Sequence, residues 1–160
     1  MDRLGPLKSV FARNCSVRRI DKIVAGSFLS SYHRLGDASC RYRYGLFTRR
    51  STGAAESGGF PEGTLVAVAT FSSGRKMRDG TRSYEWIRYA SMTDLRVVGG
   101  MGKLLDAFVE DVRPDDVMSY ADRLLSDGSS YEKLGFVLET VVDRDNHSDL
   151  KYRKRFNSAR

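Results

Sequence analysis

The sequence is poor in the residues that build special scaffolds: two cysteines, three prolines, one tryptophan and two histidines in 160 residues. Cys15 and Cys40 have neither metal-type spacing nor further partners, which excludes a disulfide framework; both are expected to be reduced and to act as small core hydrophobes. No apolar run approaches the roughly 20 residues a membrane helix needs. The opening MDRLGPLKSVFARN lacks an apolar stretch followed by a small-residue cleavage site, so a cytoplasmic protein without membrane contact is expected. Repeats and low-complexity segments are absent, as are a GxxxxGK[ST] phosphate loop and a GxGxxG dinucleotide fingerprint. A chain of 160 residues with 41% hydrophobic and 29% charged content is expected to form one globular domain over 1–160. Within it, 1–15 and 144–160 are expected to be peripheral and 48–63 to be a mobile loop.

Arginine is plentiful. Twenty of the 27 basic residues are Arg, and the formal net charge is +7. The charge is unevenly spread: residues 1–50 carry 11 Lys/Arg against 3 Asp/Glu, residues 111–143 carry 3 against 8, and the tail from Arg144 carries 6 against 2. The planar guanidinium grips phosphate bidentately, so basic ends rich in Arg point to an anionic partner, with DNA or RNA among the candidates. A merely solubilising surface is the plainer alternative.

Apolar residues Val17, Ile20, Ile23, Val24 and Phe28 fall three or four apart, which predicts a helix from a Ser16 cap to about Tyr32. Arg41 to Phe47 alternates like a strand, and TLVAVATF reads as a buried one. SYEWIRYAS is aromatic and β-branched strand material. Simple alternation puts Tyr84, Trp86 and Arg88 on one face and Glu85, Ile87 and Tyr89 on the other. The segment RVVGG leads into Met101, Leu104, Leu105, Phe108, Val109 and Val112, an amphipathic helix with a glycine-rich entrance, closed by Pro114. Strand DDVMSYA, a short helix in DGSSYEKLGF with Gly135 as its C′ stop, and strand FVLETVV follow. LKYRKRF ends the pattern as an edge strand or a frayed basic arm. Consecutive strands early and strand–helix–strand crossovers later predict an α/β domain with a mixed sheet and helices on both faces.

A glycine-led helix start offers free N–H groups and the positive end of the helix dipole to a phosphate, although a glycine pair is also ordinary turn chemistry. The glycine turn at Gly99, Gly100 and Gly102, the strand after it, and SSYEKLGF together resemble the GNAT acyltransferase superfamily over roughly Leu65 to Val142. That resemblance implies a mostly antiparallel GNAT sheet with helices on both faces, and acetyl-CoA or a related acyl-CoA as cofactor. It implies a backbone cradle for the CoA pyrophosphate at Val98, Gly99, Gly100, Met101, Gly102 and Lys103. Tyr131 would then be the acid that protonates the departing thiolate; its alternative is packing at the rim of the core. Val97 stands where the family usually has Gln or Arg, and Arg96 lies one residue earlier. FLSSYH and SYADRLLSDGSSYEKLGF are also similar to GNAT-like domains of phage and mobile-element proteins, including Mom-type DNA-modification enzymes.

Acyl transfer to an amine needs a base to neutralise the acceptor and an acid for the sulfur. Glu85 and Asp122 are the candidate bases, each with an ion-pair role as the alternative. His33 is a third candidate by its ordinary titration range, against a capping role at a helix end. His147 is expected to be a surface residue of the polar DRDNHSD turn. Arg88 is a candidate anion clamp for substrate or a cross-sheet partner. No metal site is expected, because no potential ligands share local spacing. The composite expectation is an acyl-CoA-dependent N-acyltransferase whose acceptor lies on nucleic acid. The alternative is a noncatalytic GNAT-like module that binds nucleic acid.

Overall fold

In the computed structural model, the described residues are 8–49, 60–123, 128–145 and 147–156. Strand β1 (Lys8–Phe11), a 3₁₀ turn (Ala12–Asn14) and β2 (Cys15–Arg19) precede α1 (Lys22–Tyr32). Strands β3 (Tyr42–Thr48), β4 (Leu65–Phe71), β5 (Arg75–Lys76), β6 (Arg82–Ser91) and β7 (Leu95–Val98) come next. Then come α2 (Gly100–Val112), β8 (Asp116–Asp122), α3 (Ser129–Lys133), β9 (Val137–Asp143) and β10 (Ser148–Arg155). The main sheet runs β2-β3-β4-β6-β8-β10-β9 with β5 attached to β6, while β1 and β7 pair in a small parallel sheet of their own. Among the described residues, only β6 and β8 pair in parallel within the main sheet; its other ladders are antiparallel. The expected mixed, mostly antiparallel sheet is present.

Two cores cover the two faces. Leu104, Leu105 and Phe108 of α2 enter a cluster with Tyr44, Phe71, Trp86 and Tyr152. Phe108 stacks on Phe71 with ring centroids 4.0 Å apart. On the opposite face Ala25, Phe28 and Leu29 of α1 pack against Val68 and Ala90. Burying each large apolar side chain contributes on the order of 2 kcal/mol, so these helix faces rather than intrinsic propensity hold the layers together.

The amino-terminal expectations need correction. Cys15–Arg19 is strand, zipped in register to β3 from Thr48 to Tyr44, and the helix begins only at Lys22. Asp21, not Ser16, caps it by accepting the Val24 N–H at 2.8 Å. The apparent helical spacing spans a strand and a helix end to end, and its member Ile23 is 81% exposed. Of the expected peripheral stretch 1–15, residues 1–7 lie outside the described residues, while Val10, Ala12 and Cys15 belong to the larger core. Likewise Ser148–Arg155 is an interior strand between β8 and β9, with Tyr152 fully buried. Its charges are met across the strands, where Arg153 reaches both Asp116 and Glu139. Most of the 48–63 loop lies outside the described residues. Its ends are pinned: Gly63 N–H donates to the Thr48 carbonyl at 2.7 Å, and Thr48 Oγ1 donates to that of Pro61, also at 2.7 Å. No helix among the described residues is long and apolar enough to cross a membrane.

Two irregularities of β6 open and line a cleft. The strand pairs with β8 only from Ser83 to Glu85, after which the two part. Along the same stretch β6 carries a bulge against β4, since Trp86 pairs with Phe71 and Arg88 with the adjacent Thr70. One extra residue reverses the side-chain alternation. Trp86 therefore faces the α2 side while Ala90 packs with α1.

Candidate active site

The cleft between the parted strands has a volume of about 810 Å³. Among its lining residues are His33, Glu85, Arg88, Met101, Asp122 and Tyr131, so the fold gathers all five side chains proposed for chemistry or substrate contact, together with Met101 from the proposed cradle. His147 and Asp149 line it as well.

Tyr131 is placed by local sequence. Helix α3 ends in a pair of bonds from Gly135 N–H to the Glu132 carbonyl and from Phe136 N–H to the Tyr131 carbonyl, both 3.0 Å. Gly135 has φ of +93° as the C′ residue, the stop expected from EKLGF. The accompanying apolar contact joins Phe136 to the Tyr131 ring, 5.4 Å between centroids. Trp86 meets the same ring edge-on at 5.9 Å, and Tyr152 stacks on it at 5.7 Å. Ser119 Oγ donates either to the Trp86 carbonyl or to the Tyr131 hydroxyl, 2.9 Å each, because one proton serves one acceptor at a time. Burial pushes the Tyr131 phenol up, and the nearby Glu85 charge adds to this against the Ser119 bond. The phenol is accordingly protonated at neutral pH and can donate.

Glu85 is half-buried, and burial pushes its carboxyl up while Arg88 and Arg144 oppose the shift. Arg88 does not share a face with Trp86 as simple alternation predicts; the bulge turns it toward the end of α1. Its Nε donates to the Gly36 carbonyl at 3.0 Å and its Nη1 to that of Ile87 at 3.2 Å, so main chain already occupies two of its donors. His33 is the C-cap of α1, with its N–H on the Leu29 carbonyl at 2.8 Å. Its Nδ1 accepts the Leu35 N–H at 3.0 Å, which fixes the neutral tautomer with the proton on Nε2. Burial, with Arg88 and Arg34, lowers its pKa. Asp122 lies 3.5 Å from Arg34.

At the head of α2 the first helical N–H with an in-ladder partner is that of Lys103, donated to the Gly99 carbonyl at 3.1 Å. Those of Gly100, Met101 and Gly102 have none within the helix, and Gly99 as cap has φ of +78°. The Lys103 ammonium is turned away, donating to the Ala12 and Cys15 carbonyls at 2.9 and 2.7 Å, and Val98 is paired to Phe11 in the small sheet. The cradle thus reduces to three main-chain donors. Glycine at 100 is fixed by packing, since a Cβ there would sit 2.7 Å from the Tyr89 hydroxyl and 2.8 Å from Val97 Cγ1. Val97, standing where the GNAT pattern has Gln or Arg, fills that space. A Cβ at 102 would meet only the tip of Leu134, at 3.3 Å. Three free N–H groups at a dipole's positive end suit a diphosphate. A second depression of about 1120 Å³ runs along α2 from the cradle's own Val98, Gly99, Gly102 and Lys103, with Arg13 and Arg49 near that end and Asp106, Glu110 and Asp111 further along the helix.

One constellation escaped the sequence. Ligand-type atoms of Asp122, His147 and Asp149 lie within 4.8 Å of one another, because β10 pairs Asp149 directly with Asp122. The two ends of this set are far apart in sequence, and only the strand register brings them together.

No protein-family model matches the chain, and no curated protein matches it in sequence. Solved structures do match in fold. The NatC complex bound to Gag peptide and CoA superposes with a TM-score of 0.63 at 11% identity, covering 90% of this chain and 99% of that one. Arabidopsis thaliana Naa50 in complex with a CoA bisubstrate analogue gives 0.62 at 10% identity, covering 89% and 99%. The ribosomal-protein-S18-alanine N-acetyltransferase of Escherichia coli gives 0.58 at 12%, covering 91% and 96%. The chain has the fold of the GNAT N-acetyltransferases, the architecture that its sequence resembles.

Proposed function

We propose that the protein is an acyl-CoA-dependent N-acyltransferase. The observation that carries this reading is the cleft itself: the parted strands β6 and β8 bring a protonated phenol at Tyr131 together with the carboxyl of Glu85 and with Met101 from the opening turn of α2. Gly100, Met101 and Gly102 would hold the diphosphate of acetyl-CoA or a related acyl-CoA. Those N–H groups and the Tyr131 phenol act on the acyl donor, and Glu85 and Asp122 line the acceptor's half of the cleft as candidate bases. Similar folds solved with CoA or a CoA analogue support the cofactor assignment.

The test is calorimetry with acetyl-CoA on Gly102→Asp. An acidic residue in the first turn favours the helix, and the new side chain displaces only the tip of Leu134, so the fold is expected to hold. Its carboxylate faces the diphosphate, and affinity is expected to fall about 100-fold from like-charge repulsion at close range. Equal binding by variant and wild type would remove the cradle from α2. Gly100→Asp is the poorer variant, because its Cβ collides with Tyr89 and Val97.

The acceptor we infer is nucleic acid, in keeping with the Mom-like strings and the basic amino-terminal third. Exposed guanidinium planes support it: Arg18 lies 3.8 Å over the Phe47 ring and Arg13 4.6 Å over that of Phe11. The same surface fits the alternative of a noncatalytic module that binds nucleic acid. Binding to duplex DNA is expected to weaken with salt by a log-log slope of about -0.9 per phosphate contacted. A flat response measured by anisotropy removes the nucleic-acid acceptor and leaves the acyltransferase reading standing. The free thiols of Cys15 and Cys40 fit a reducing, cytoplasmic setting.

A further inference from the structure

The acceptor side of the cleft holds more ionisable groups than ion pairing requires. Asp149 and Asp122 face each other directly across β10 and β8, a like-charge placement that costs stability unless something cationic answers it. Arg144 Nε holds one oxygen of Asp149 at 2.7 Å, and Arg34 approaches Asp122 at 3.5 Å. The other oxygen of Asp149 lies 3.4 Å from His147 Nε2. With Nε2 the ring nitrogen nearest Asp149, Nδ1 is the other nitrogen able to take a proton. The imidazole is about one-third exposed, its side chain at 37%, so solvent and substrate can both reach it.

We propose that His147, oriented by Asp149, is the group that takes the proton from the acceptor amine, with Asp122 holding that amine as its ammonium beforehand. The inference rests on the acyltransferase reading and deepens it on the acceptor side. His147 accepts one proton from the ammonium, and the freed lone pair forms the new C–N bond at the thioester carbonyl as the C–S bond breaks. Tyr131 gives its proton to the sulfur and regains one from the nitrogen as the amide forms. His147 then sheds its proton to solvent, so that one proton is released per turnover. Asp122 is answered by Arg34, and Glu85, whose carboxyl burial raises, is the competing base that the His147 variants distinguish.

The charged and titratable groups that share the cleft with the imidazole come from several elements. Asp122 and Tyr120 belong to β8, Arg144 and Asp149 to its own hairpin, His33 and Arg34 to the end of α1, and Glu85 and Arg88 to β6.

The experiment follows CoA release from acetyl-CoA across pH 5 to 9, with a duplex oligonucleotide, spermidine and a short peptide bearing a free α-amino group as probe acceptors. In wild type kcat/KM is expected to rise with pH through the imidazole range. His147→Gln is expected to lose that rise and about 100-fold in kcat, with acetyl-CoA affinity unchanged by calorimetry. Added imidazole is expected to restore part of the rate in His147→Ala. Asp149→Asn is expected to lose about tenfold and to move the rise to lower pH. A rise that persists in His147→Gln, or release of CoA that no variant alters, overturns the proposal alone. Binding without any CoA release by wild type overturns it as well, and failure of wild type to bind acetyl-CoA overturns the acyltransferase reading beneath it.

Discussion

Tyr131→Phe is expected to lower kcat for acyl transfer by 100- to 1000-fold, the range a positioned general acid contributes, while leaving acetyl-CoA affinity within twofold. The ring stays in its cluster with Trp86, Phe136 and Tyr152, so the change removes a proton and little packing. Two features make the phenol fit for donation. Burial keeps it protonated, and Ser119 supplies a hydrogen bond to its oxygen that leaves its own proton free for the sulfur. Stopped-flow detection of free thiol with acetyl-CoA and a probe amine reads the rate, and calorimetry reads the affinity. Unchanged turnover would return Tyr131 to a packing role at the core rim.

Phe108→Ala is expected to cost about 3–5 kcal/mol, the usual range for truncating a buried aromatic, and to lower the melting temperature by roughly 10 °C in a chain of this size. The ring sits at the centre of the α2 core. It stacks on Phe71 and receives the edges of Tyr42, Tyr44 and Tyr84 at 5.4 to 6.1 Å. The cavity would open beneath α2 and its amino-terminal N–H groups. Urea denaturation monitored by tryptophan fluorescence checks it, since Trp86 stacks on Phe71; a loss below about 1 kcal/mol would mean that the α2 face can collapse to fill the gap.

What is legible in the sequence is local. The glycine-led helix from Gly100, the tyrosine helix stopped at Gly135 and the buried run of β4 each advertise themselves within a short stretch of chain. The sequence misleads where a distant partner decides. Cys15–Arg19 is a strand because β3 pairs with it, and without that partner its apolar spacing merges into α1. Charged β10 reads as an edge until Asp116 and Glu139 are known to sit opposite Arg153. The bulge in β6 leaves no mark in SYEWIRYAS, yet it decides which way Arg88 points. His147 reads as a surface residue of a polar turn, because its link to Asp122 exists only through the β8–β10 register.

That register also sets an order of assembly. β9 touches the rest of the sheet only through β10, although β10 comes later along the chain. β9 therefore cannot join the sheet before β10 docks on β8, and an opening of that pair is expected to take His147 from the cleft while the α1 core, which draws none of its members from these strands, stays closed. Faster amide exchange in β9 and β10 than in α1 would reveal such a local opening below global unfolding.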